Sequence, residues 1–168
     1  MFLILMCLVT SLANATTAPD FSGRWTADAA AAGARGDMGS GWGSPITIAQ
    51  SADKLTIEYA FFARGDMQPP LRFVYALDGS ATKNSVMMGR GVQTQSSTAS
   101  WNGESLVITT IHTFTDPATG KPATEEVKQS LTLESPTVLI VETTRAGVLG
   151  GSSSTTKTIY RKAVGHRP

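Results

Sequence analysis

Tight turn signals at every second connection constrain what this 168-residue chain can become. Ten runs rich in Thr, Ser, Val and Ile are separated by turn residues: 21–28, 46–51, 54–62, 71–77, 83–88, 92–101, 105–114, 125–134, 137–145 and 155–162. No helical period is sustained, so the runs read as strands. Four links are short: Ala52-Asp53, Asp78-Gly79-Ser80, Asn102-Gly103-Glu104 and Ser135-Pro136. Asn-Gly is the strongest short-range hairpin signal among them. The alternate links, 29–45, 63–70, 115–124 and 146–154, are longer and mostly glycine-rich; only Gly89-Arg90-Gly91 in that set is short. In an up-and-down meander successive links fall at opposite ends. The alternation therefore predicts an all-β, antiparallel up-and-down barrel of about 8–10 strands, with a tightly turned base and a looped mouth.

Strand phase predicts which side chains enter the barrel. Leu55, Ile57, Tyr59 and Phe61 alternate with Lys54, Thr56 and Glu58. Leu71, Phe73, Tyr75 and Leu77 share a face opposite Arg72, and Leu106, Ile108, Thr110, His112 and Phe114 share another. Val127, Gln129, Leu131 and Leu133 do the same, with Glu126 and Lys128 outside. Period-two alternation of this kind is the mark of a one-sided core. The runs 137–145 and 155–162 are ambiguous in phase.

Residues 1–15 read as a signal peptide, with an apolar stretch over 2–9 and the small-x-small site Ala13-Asn14-Ala15. Cleavage near Ala15 predicts a secreted or periplasmic product, a single domain over 16–168, with Cys7 removed and no disulfide framework. The formal net charge of +1 gives no electrostatic pull toward nucleic acid or acidic lipid. No second apolar span follows, so membrane insertion is not expected. No cofactor and no metal site are expected, because the two histidines, His112 and His166, stand apart from any ligand cluster.

"DFSGRW" opens the first strand and "YRK" ends the last. Phe21, Gly23 and Trp25 share one strand face, and barrel closure pairs the first strand with the last. Arg161 is then expected over the Trp25 indole as a cation–π partner, with Gly23 leaving room beside it. A Gly-x-Trp at the start of the first strand, with a terminal arginine across it, resembles the lipocalins and the wider calycin superfamily. Together with "LDG" and "WNGESLVITT", these motifs resemble small secreted bacterial lipocalin-like proteins over nearly the whole chain after the leader. The resemblance implies a lipocalin-like β-barrel; the function of those proteins is unknown. Ten strands depart from the eight of ordinary lipocalins and lie closer to the fatty-acid-binding branch, whose helical lid has no counterpart here.

The expected ligand-binding residues are Tyr59, Phe61, Phe73, Tyr75, His112 and Phe114, with Trp42 as a flap on the longest mouth loop. These would suit a small apolar or amphipathic molecule. The alternative is a protein-interaction module, such as a hydrolase inhibitor, that acts through its mouth loops. Nothing assembles into a catalytic set. Glu125 and Glu126 point to opposite faces, and Gly150-Gly151 precedes serines, not a helix. "ARGDM" occurs at 34–38 and 63–67 and reads as two glycine turns at the mouth.

Overall fold

The computed structural model describes residues 18–28, 42–63, 66–88, 91–116, 118–147 and 151–163. The leader, Cys7, the first ARGDM copy and His166 lie outside these residues. The described residues contain ten strands and no helix. The strands are β1 (Gly23–Ala27), β2 (Ile46–Gln50), β3 (Lys54–Ala63), β4 (Asp66–Ala76), β5 (Thr82–Met88), β6 (Gly91–Asn102), β7 (Ser105–Thr115), β8 (Pro122–Ser135), β9 (Val138–Arg145) and β10 (Ser154–Lys162).

All ten join one antiparallel sheet in the order β4-β3-β2-β1-β10-β9-β8-β7-β6-β5. The sheet curls into an up-and-down barrel, and β1 pairs with β10 as barrel closure requires. The circuit is nearly closed. Its seam lies between β4 and β5, the two ends of the ladder order. There the Asn84 side chain substitutes for a ladder. Its Oδ1 accepts from the Val74 N–H at 2.8 Å, and its Nδ2 donates to the Val74 carbonyl at 3.0 Å. A second break is partial. The β6–β7 ladder runs from Asn102/Ser105 only as far as Ser96/Ile111. Beyond it, β6 continues paired with β5 up to Met88/Gly91, and β7 with β8 up to Thr115/Pro122.

One expected loop is strand. Residues 66–70 carry β4 back toward β3, with Ala63 opposite Asp66, so the β3–β4 link is a tight hairpin. The pair Pro69-Pro70 gave those residues the look of a loop. Proline lacks a ladder donor, but it is tolerated on an edge strand or at a bulge. Both conditions hold here: β4 ends the ladder order, and its register against β3 shifts between Tyr59/Leu71 and Phe61/Gln68. Long connections at the mouth are therefore confined to β1–β2, β7–β8 and β9–β10.

The base is filled by packed aliphatic side chains. Leu55, Ile57, Leu106, Ile108, Leu131, Leu139 and Val141 are fully buried. Phe21 stacks on Trp101, with centroids 5.8 Å apart. The stretch 18–22 is strapped across β2 by Gln50, whose Oε1 accepts from the Phe21 N–H and whose Nε2 donates to the Pro19 carbonyl.

Trp25 plugs this base, but its cation is not Arg161. In the β1–β10 register Trp25 stands opposite Lys162, and Thr26 opposite Arg161. Successive residues of a strand face opposite ways, so Lys162 shares the inner side with Trp25 and Arg161 faces out. The Lys162 Nζ lies 5.2 Å from the indole centroid. Arg161 instead pairs with Asp28 at 2.9 Å on the outer surface. Gly23 has φ +143°, and a Cβ there would sit 2.5 Å from Lys162 Cε. Its expected role as a spacer thus applies to the lysine stem.

Candidate functional site

Above the base the lining changes character, and the two sides of the barrel differ. One side is aromatic. Trp42 meets Tyr59 edge-on at 5.4 Å, Tyr59 meets Phe73 edge-on at 5.3 Å, and Phe73 stacks on Tyr75 at 6.5 Å. Trp42 also meets Tyr160 at 5.9 Å. These five rings are all buried.

The opposite side is polar and neutral. Across β7, β8 and β9 one row of facing residues reads Ile108, Gln129 and Thr143. On β6 the inward positions are Gln95, Ser97 and Ala99, with Asn84 opposite Gln95 on β5. Ser97 and Thr110 share a hydrogen bond of 2.8 Å. The side chains of Gln95, Gln129 and Thr143 are buried and make no hydrogen bond among the described residues.

The rim carries the charge. Glu125 of β8 accepts from Arg145 Nη1 of β9 at 3.3 Å, both side chains being largely buried. His112 of β7 stands opposite Glu125 in the register, and Phe114 follows, half-buried, opposite Ala123. Period two brings His112, Glu125 and Arg145 to the inner face together.

Trp42 is placed differently from the expected flap. It is 2 % exposed and belongs to the core cluster. Tyr160 anchors its neighbours: the hydroxyl accepts from the Gly43 N–H at 2.6 Å and donates to the Ser44 carbonyl at 3.2 Å. Gly43, at φ +104°, provides the backbone turn that returns the chain into β2. The indole Nε1 of Trp42 is buried and has no hydrogen-bond partner.

Of the expected lining residues, Tyr59, Phe73 and Tyr75 come together with Trp42, while His112 and Phe114 stand at the rim. Phe61 lies on β3, and its side chain is outside the described residues. Sequence reading passed over Tyr160, Gln95, Thr143 and Arg145. Gln129 and Thr110 were already in phase with the inner face. The signal for Tyr160 was its place in the last strand once parity is fixed by Trp25.

Burial holds the Tyr59 phenol well above its ordinary range, with Tyr75 and Tyr160 nearby reinforcing the effect. Tyr75 is raised by burial as well, and Tyr160 is pushed up to about 12 by burial, offset in part by the Gly43 N–H. These are all the tyrosines in the chain. A phenol whose folded pKa is raised favours the native state below its unfolded value near 10, and that contribution is lost as pH rises through the folded value. Alkaline titration should therefore show phenolate absorbance lagging behind that of free tyrosine, then appearing together with loss of the fold. Phenolate formation near the ordinary value with native circular dichroism would contradict the burial of these hydroxyls.

Outside the barrel, a groove of about 270 Å³ is lined by Thr47, Lys54, Thr56, Glu58 and Arg72. Lys54, Glu58 and Arg72 bring charge to it. No protein-family model matches the chain, and no curated protein matches it.

Proposed function

We propose that this barrel takes up a small amphipathic molecule through its mouth and holds it above the aliphatic base. The observation that carries the reading is the facing of an aromatic wall by buried, neutral polar groups that have no protein partner. Gln95, Gln129 and Thr143 are low in exposure, and their polar atoms are not among the occluded orphans, so they are open to the interior, as in a binding surface where a few polar groups fix the orientation of an otherwise apolar guest. The likeness of "DFSGRW", "WNGESLVITT" and "YRK" to secreted bacterial lipocalin-like proteins supports the same reading, as does the leader, which directs the barrel to the periplasm or the exterior.

Native mass spectrometry of the exported protein should reveal a co-purified small molecule. The stripped protein should take up an apolar fluorescent probe. Tyr59→Ala and Phe73→Ala, checked for folding by circular dichroism, should weaken that uptake by removing wall area. If the folded wild type carries no guest and takes up no probe, the interior reading fails, and a protein-interaction role for the mouth connections replaces it.

A further inference from the structure

The Trp42 indole is, among the described residues, the buried side-chain donor of the aromatic wall that has no hydrogen-bond partner. Indole nitrogen only donates, and this one is occluded with nothing to receive its proton. The contrast with Trp25 is internal: the Trp25 Nε1 donates to the Phe21 carbonyl at 2.9 Å. Three further observations bear on what would satisfy Trp42. The rings around it are arranged edge-to-face and stacked, leaving flat faces and edges as the contact surface. The groups facing them are amides and a hydroxyl, which both donate and accept. Between Lys162 at the base and the His112, Glu125 and Arg145 rim, every described inward side chain is neutral. An ionised group brought to that depth would lose its hydration without gaining a counter-charge.

We infer that the guest of this barrel is a neutral, flat heteroaromatic molecule whose edge offers an acceptor to Trp42 Nε1 and complementary groups to Gln95 and Gln129. This rests on the interior-binding reading above and specifies its ligand. An alkyl chain would leave the indole, both amides and the Thr143 hydroxyl without partners. A carboxylate would have to compete with Glu125 for Arg145 at the rim.

The test uses isotope-labelled folded protein and the indole N–H signals of its three tryptophans, Trp25, Trp42 and Trp101. Trp42→Phe assigns the signal of interest and keeps an aromatic ring in place. The probes are indole-3-carboxamide, lumichrome, indole-3-carboxylate and laurate. The neutral probes should move the Trp42 signal downfield, leave the Trp25 signal in place, and bind at least about tenfold more tightly than the carboxylate or laurate. In Trp42→Phe they should bind about tenfold more weakly, a difference of about 1.4 kcal/mol. Equal affinity in Trp42→Phe, or neutral probes that bind without moving the Trp42 signal, would overturn the donor role. Preferential binding of laurate or the carboxylate would overturn the ligand class while leaving the interior reading intact. If no probe binds, and no co-purified guest or apolar-probe uptake is found, the interior reading itself fails.

Discussion

Trp25→Ala is expected to lower the unfolding free energy by about 3–5 kcal/mol, as for other large aromatic truncations in packed cores. Trp25 is 1 % exposed, and three things depend on its ring. It fills the base beside the buried aliphatic layer. It satisfies the Phe21 carbonyl. It also receives the Lys162 ammonium on its face, a contact of about 0.5–2 kcal/mol. Arg161→Ala should change stability by less than about 1 kcal/mol, because its ion pair with Asp28 is a surface one with the arginine side chain 65 % exposed. Urea denaturation of both variants decides the matter. A larger loss for Arg161→Ala than for Trp25→Ala would mean that the base is organised around the arginine after all.

Asn84→Ala should cost about 2–3 kcal/mol, an effect out of proportion to the side chain's size. Asn84 is 6 % exposed, and its amide is a two-way substitute for main-chain pairing across the β4–β5 seam. Alanine would orphan both the N–H and the C=O of Val74, and unsatisfied buried backbone groups are rare because they are expensive. Asn84→Asp separates the two halves of the contact. A carboxylate still accepts from the N–H but turns a like-signed oxygen toward the carbonyl. Stability should therefore fall in Asn84→Asp as pH rises through the new carboxyl's pKa. Hydrogen exchange should quicken in β4 and β5 before it changes in β7 and β8. Uniform protection in Asn84→Ala would show that the seam is held by packing alone.

The architecture was legible because its signals are local. Turn residues separate the runs, and alternation within each run states which face is buried. The loop-like reading of 66–70 failed on Pro69-Pro70, since nothing local tells an edge-strand bulge from a loop. The pairing of Trp25 with Arg161 failed by one residue. Closure was right, but parity in the last strand is set by its register with β1, a contact 133 to 137 residues away along the chain. The aromatic half of the candidate site was visible as in-phase Tyr and Phe. Its polar half was harder to see, because a Gln or Thr inside a strand looks the same whether it faces solvent or a lumen. Trp42 was unreadable for a different reason: the tether that brings it inside is a tyrosine 118 residues further on.

The early end of the β6–β7 ladder gives the mouth a mechanical property. Above Ser96 and Ile111 the rim on that side consists of two independent hairpins, β5–β6 and β7–β8, each complete in its own pairing. Such fingers can spread by bending at their roots without rupturing a single interstrand rung. The aperture is thus decoupled from the stability of the barrel below it: a stiff cup carries a compliant lip, and the width of the opening is set by flexure and not by unfolding.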